Sequence, residues 1–259
     1  FGFLVYAISS LEHASDNLVL TGVSFVVGAV SLVLFIRRQV RLARTGRELL
    51  NLAPFRNRNF TLSVVLIMIA MGTLLGTVVI VPIMLQTGRG LDTLTIGLML
   101  LPGGLIQAAV GPVFGRVFDR FGPRPVLIPG AAMLALGQWM YVGVTPESAT
   151  WVFTVAHIVF SIGLAMLMTG LLSSALATVE PRLYGHGSAI FNTGQQLGGA
   201  IGTTIFVTVL STLSAARLDE GSALADSLFS GAHTAFIIGA LLATAGLVLA
   251  PFIKIPRRA

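Results

Sequence analysis

The sequence predicts an all-α polytopic membrane protein, and three observations carry that prediction. Apolar residues make up 55% of the 259-residue chain and charged residues only 10%, against about 25% charged in an ordinary soluble domain. Several uncharged runs reach about 20 residues, long enough to cross ~30 Å of hydrocarbon. The remaining charges gather between those runs. The runs are rich in Gly and helix-compatible residues and lack the alternating segments of about ten residues that a barrel requires, so helices are expected. The mean hydropathy of +0.91 agrees.

In order, residues 1–11 read as the tail of a span already under way, followed by an acidic turn with Glu12, His13 and Asp16. The chain opens at Phe1 inside an apolar run, so it is expected to be the C-terminal portion of a longer protein. Residues 18–36 form the first complete span, followed by a basic stretch with Arg37, Arg38, Arg41, Arg44, Arg47, Arg56 and Arg58 against the lone Glu48. Further spans are expected at 61–85, with Pro82, and at 94–115, with Pro102 and Pro112. The rest follow at 125–144, 151–176, 187–213 and 232–253. Residues 1–59 thus hold a partial span, one complete linker span and a basic loop, and residues 60–259 hold six spans.

Charge orients these spans. If the 37–59 loop is cytoplasmic and the spans alternate, 14 of the 16 basic residues fall inside and only Arg89 and Arg217 outside. That is the bias of cytoplasmic loops toward Lys and Arg, and it puts the C-terminus inside. The net charge of +6 therefore reads as orientation in a lipid bilayer, not as a nucleic-acid surface. Trp139, Tyr141 and Trp151 are expected at the outer interface. There is no cysteine, hence no disulfide framework or thiolate metal site.

Residues 111–125, Gly-Pro-Val-Phe-Gly-Arg-Val-Phe-Asp-Arg-Phe-Gly-Pro-Arg-Pro, form a charged hinge between two apolar runs. One helix is expected to end at Gly115 and the next to open near Pro125, since Pro suits a helix's first turn. Asp119 is placed to accept from free N–H groups or to sit at the positive end of that helix. Gly115, Asp119, Arg120, Gly122 and Arg124 resemble the cytoplasmic loop motif of the major facilitator superfamily, with Pro123 where a second basic residue is usual. The resemblance implies that these five residues form a cytoplasmic gating motif.

A second resemblance lies at 185–202. Asn192, Gln196, Gly198, Gly199 and Gly202 look like the penultimate span of the 14-span branch of that family, with Gln195 where many relatives have Arg. Read from the residues alone, Gly194, Gly198 and Gly202 recur every four positions and make a smooth stripe for helix packing. Asn192, Gln195 and Gln196 are amides that lipid disfavours; they serve equally as contacts to substrate or as glue between helices. On span 94–115, Gly104, Gln107, Gly111 and Gly115 share a face, either lining a cavity with Gln107 in the pathway or packing a bent helix. Thr73 and Thr77 share a face of span 61–85, where hydroxyls often bond their own backbone. His157 lies about 9 Å inside its span at 1.5 Å per residue. It binds substrate, carries a proton, or hydrogen-bonds a neighbouring helix as the neutral ring.

Six spans match one half of a major facilitator transporter, and two further spans before them resemble the 14-span branch, whose members are mostly drug:proton antiporters. The resemblance implies the C-terminal six-helix bundle of such a transporter, preceded by linker helices. It implies a plasma or inner membrane protein that exports hydrophobic or amphipathic small molecules against protons by alternating access. Its partner would be the missing N-terminal half of the same transporter. The alternatives are another substrate class (a lipid, a metabolite or a nutrient) and a non-transporting receptor or scaffold. No enzymatic constellation, metal cluster or cofactor motif is read from the residues. All ten carboxylates fall in loops or the hinge, so the proton-coupling carboxylate is expected in the absent N-terminal half.

Overall fold

The computed structural model describes residues 50–254 together with the single positions Val30, Leu34, Arg37 and Arg38. The expected span at 1–11, the rest of that at 18–36, and Arg41, Arg44, Arg47, Arg257 and Arg258 lie outside the described residues. Six helices are long and apolar enough to cross a membrane. They are α1 (Arg58–Ile83), α2 (Thr93–Phe121), α3 (Arg124–Val142), α4 (Thr150–Leu176), α5 (Tyr184–Asp219) and α6 (Leu224–Leu249).

Local chemistry sets the ends. Asn57 caps α1, its Oδ1 accepting from Asn59 N at 2.9 Å and Phe60 N at 3.5 Å. Pro82 has no N–H to donate, and the helix loosens into a π turn over Met84–Gly88. Asp92 caps α2 by accepting from Thr95 N at 3.0 Å and Thr95 Oγ1 at 2.6 Å. Those bonds, the side-chain one first, hold its carboxyl below the usual value. Gly122 closes α2 with φ +83°, its N–H donating to Phe118 O at 2.8 Å, a conformation in which a Cβ is strained.

Two expected boundaries are corrected. α2 does not end at Gly115 but runs on to Phe121. The extra turns set Phe118 against Gly170 of α4, where an added Cβ would meet the ring at 3.0 Å. The last helix begins at Leu224, not near 232, and α5 extends to Asp219, leaving residues 220–223 between them. Polar residues hid those turns in the sequence. Ser214 donates to Ser227 O at 3.1 Å and Ser227 to Ala223 O at 2.9 Å, so both hydroxyls are satisfied in a buried contact.

The helices α2, α4, α1 and α5 pack in a row, with α3 and α6 behind them. One apolar cluster joins Phe60, Ile67, Leu127, Leu164 and Ile253. A second joins Ile80, Tyr141, Phe153, Phe206 and Phe236 toward the other end. Polar staples tie each end. Asn57 Nδ2 donates to Thr178 O at 2.9 Å and Asn51 N to His186 Nδ1 at 3.2 Å. Opposite, Arg89 donates to Ser148 O at 2.7 Å and lies over the Phe153 ring. The start of α1 thus meets the α4–α5 connection, and the end of α1 meets the α3–α4 connection, as alternating spans require.

Candidate functional site

The row is unevenly covered. In their most apolar stretches α1 is 56% buried and α4 61%, but α2 only 17% and α5 only 28%. The two helices at the ends of the row therefore leave most of their surface unpartnered within the described residues. These two helices also carry the amides and glycines singled out in the sequence.

On α5 the glycines face inward. A Cβ on Gly198 would overlap the backbone of Met68, and one on Gly202 the backbone of Gly72, both on α1. At Gly194 it would meet Val64 Cγ1 at 3.0 Å. Gly72 takes part from its own side: a Cβ there would lie 2.9 Å from Gly198 O. Two backbones thus cross in direct contact, which only small residues on both helices permit. The amides lie elsewhere. Asn192 and Gln196, one turn apart, are exposed, and Gln195 is half-buried.

On α2 the glycines of the predicted stripe face outward. A Cβ on Gly104 or Gly111 would meet nothing within 4 Å, and one on Gly115 only Thr169 Cγ2 at 3.6 Å. Gln107 is half-buried. None of the four amides Gln107, Asn192, Gln195 and Gln196 makes a hydrogen bond among the described residues. The structure does not bring Gln107 to the α5 amides, since α4 and α1 stand between their helices.

His157 lies behind that surface. It is buried in α4, with Nδ1 3.3 Å from Tyr141 Oη of α3. Its ring packs on Gly103 of α2, where a Cβ would lie 3.1 Å from Nε2 and 2.8 Å from Ser161 Oγ. Tyr141 corrects an expectation. Trp139 and Trp151 are exposed aromatics, whereas Tyr141 is 1% exposed and stacks on Phe236 at 5.0 Å. Its hydroxyl is satisfied by the histidine, so the ring does not need the interface.

The sequence reading missed Gln138 on α3. It is fully buried and donates Nε2–H to Thr77 Oγ1 of α1 at 2.8 Å, while its Oε1 has no partner. Thr73 bonds its own backbone, at 3.0 Å to Ile69 O, but Thr77 accepts across helices. The signal was present: Gln138 is a lone amide in an apolar run, as Gln107 is.

In the hinge motif, Gly115 and the exposed Asp119 and Arg120 all belong to α2; Gly122 breaks it, and Arg124 opens α3. The expected hydrogen bonds from free N–H groups to the Asp119 carboxylate are not found. Among the described residues the only ion pair joins Arg182 to Glu180 at 2.6 Å, and the Asp119 carboxylate makes no hydrogen bond. Because α2 continues past Gly115, Asp119 sits in a helical turn at the surface, with Arg120 lying over Phe121 at 5.2 Å. Among the described residues no group of three His, Cys, Asp or Glu is placed to hold a metal ion.

Comparison with known proteins gives a consistent picture. The model of the Major Facilitator Superfamily matches residues 5–203. The lincomycin resistance protein LmrB of Listeria monocytogenes is 32% identical over 259 residues, covering 98% of this chain and 54% of LmrB. The multidrug efflux pump LfrA of Mycolicibacterium smegmatis is 27% identical over 245 residues, 94% of this chain and 47% of LfrA. The multidrug resistance protein Stp of Mycobacterium tuberculosis is 27% identical over 218 residues, 84% of this chain and 40% of Stp. The chain spans about half the length of these relatives.

Proposed function

The chain belongs to the major facilitator superfamily, and on that premise we propose that it forms one six-helix half of a proton-coupled exporter of hydrophobic or amphipathic compounds. It works by alternating access, without covalent chemistry, in the plasma or inner membrane with its C-terminus in the cytoplasm. The observation that carries this reading is the unpartnered surface of α2 and α5. Both flanking helices carry unbonded amides on mostly unburied helices, and lipid is a poor neighbour for such groups. A second helical half, with substrate and water between, is a suitable one. Such halves rock about a central site. Gln107, Asn192 and Gln196 are the proposed substrate contacts on this side. Gly115, Asp119, Arg120, Gly122 and Arg124 form the cytoplasmic gate, with Asp119 free here to pair with a group on the other half.

All ten carboxylates of the chain fall in loops or the hinge by sequence, so the proton-coupling carboxylate is assigned to the N-terminal half of the transporter. The test uses the full-length protein in liposomes under an imposed pH gradient. A lipophilic cationic dye moves with the gradient, and collapse of the gradient by a protonophore stops it. Dye that stays put while a metabolite or a lipid moves would assign the chain to another substrate class. No movement of any of them would favour a receptor or scaffold.

A further inference from the structure

We propose that the end of the molecule where α1 begins and the chain leaves α6 is a binding site for the headgroup of an anionic phospholipid. Asn59, in the first turn of α1, brackets the peptide of Lys254. Its Oδ1 accepts from Lys254 N at 3.2 Å, and its Nδ2 donates to Lys254 O. That pairing joins two segments 195 positions apart and holds Lys254 beside Arg58. The Arg58 guanidinium lies 5.4 Å from the centroid of the Phe252 ring. Arg56, Arg58 and Lys254 are all exposed, and none has a carboxylate partner among the described residues. The sequence explains why: no Asp or Glu occurs between 49 and 91 or between 227 and 259. The carboxylate of Glu180, in the α4–α5 connection that Asn57 touches, is taken by Arg182.

The depth of this patch selects its occupant. α1 starts and α6 ends here, so the patch sits where hydrocarbon gives way to headgroups. Phe55 is 41% exposed and Phe252 47%. Exposed phenylalanines beside unpaired cations suit the boundary between acyl chains and headgroups, where apolar rings enter the hydrocarbon edge and Lys and Arg stay with the phosphates. A guanidinium offers paired N–H donors to phosphate oxygens. A free phosphate would use the cations and leave the rings without purpose; a phospholipid uses both. The site rests on the membrane-spanning reading of α1 and α6 and not on transport.

The test is retention of phosphatidylglycerol against phosphatidylcholine by the full-length protein in detergent, counted by native mass spectrometry. It reads no transport, so a protein that moves no dye still reports on it. Each cation near a lipid surface contributes about 1 kcal/mol, which is about fivefold in affinity. Arg58→Gln with Lys254→Gln should lower phosphatidylglycerol retention about 25-fold on the same scale. The charge-preserving Arg58→Lys with Lys254→Arg should retain most of it. Arg58→Gln alone touches no backbone bond and should show about the single fivefold step, which covers a double variant that fails to fold. Phe252→Ala should weaken retention as well, and Arg217→Gln at the opposite end should not. Undiminished retention in the Arg58 and Lys254 variants would overturn the site. So would an equal loss in Arg217→Gln, which would mean diffuse charge, or displacement by millimolar inorganic phosphate, which would mean a free-anion site.

Discussion

α2 and α5 carry the same written pattern, glycines at helical spacing with amides among them, and the structure puts it to opposite uses. On α5, Gly198 and Gly202 are pressed against the backbone of α1. On α2, Gly104 and Gly111 face open space. The difference does not lie in the stripes. It lies in the partner: α1 offers Gly72 at the crossing, so two backbones meet. The α2 glycine that packs is Gly103, against His157 and Ser161, one position off the stripe. A glycine spacing states that a smooth face exists. Only a matching small residue on a second helix turns it into a contact.

The largest test of that contrast is at the crossing. Gly202→Val places side-chain atoms where Gly72 backbone lies, and neither can yield without moving a helix. Overpacking costs about 1–3 kcal/mol where neighbours shift; here the loss should reach at least that upper figure. Thermal melting of the purified full-length protein measures it. A Gly202→Val protein that melts with wild type would mean that α5 is not seated on α1 as described.

Two glutamines sharpen the comparison next. Gln138 is buried and bonded to Thr77, whereas Gln107 is half-buried and unbonded. Gln138→Ala removes the donor and leaves a void, for a loss of about 1–3 kcal/mol. A double-mutant cycle with Thr77→Val should return a coupling of about 0.6–2 kcal/mol. Gln107→Ala should stay within about 0.5 kcal/mol while changing which dyes the full-length protein moves. Equal melting losses at both positions would erase the distinction between core amide and lining amide.

The glycines of α2 give a smaller effect of opposite sign. Gly104→Ala and Gly111→Ala add a methyl group to open space, and Ala exceeds Gly in helix propensity by about 1 kcal/mol. Each should melt at or slightly above wild type. A clear loss at either would place an unseen neighbour on that face.

The residues themselves made much of this legible. Composition, uncharged runs and alternating charge predicted six spans in this region, and six helices are found. The packing stripe was readable because four-residue spacing fixes a helix face. What stayed hidden depended on partners distant in sequence. Nothing near Tyr141 announces that its hydroxyl meets His157 from another helix. Nothing near Gly115 shows that Phe118, three residues on, finds a seat at Gly170 and carries the helix onward. The early start of α6 was masked because Ser227 looks like a loop residue until Ser214 supplies its bond. Gln138 is a different case: it was visible, and the rule applied to Gln107 would have reached it.

The smallest effect lies at the N-termini of the same two helices. Leu183, just before α5, provides no side-chain cap, whereas Asp92, just before α2, accepts twice from Thr95. Those bonds favour the carboxylate over the acid and hold its pKa below the usual value. A depressed folded pKa means that the charged form is the one the fold stabilises. The capping contribution is therefore complete above the unfolded carboxylate range, about 3.9 for Asp, and is lost as pH falls through the lower folded value. Hydrogen exchange at Thr95 N–H reads this locally, as the ratio of rates in Asp92→Ala and wild type at each pH. That ratio should exceed one at neutral pH and approach one in acid below the folded value. The corresponding ratio at Tyr184, which opens α5, should stay at one throughout. A Thr95 ratio that did not change with pH would show that the carboxylate charge adds nothing to the cap, and the two helix starts would then differ in geometry alone.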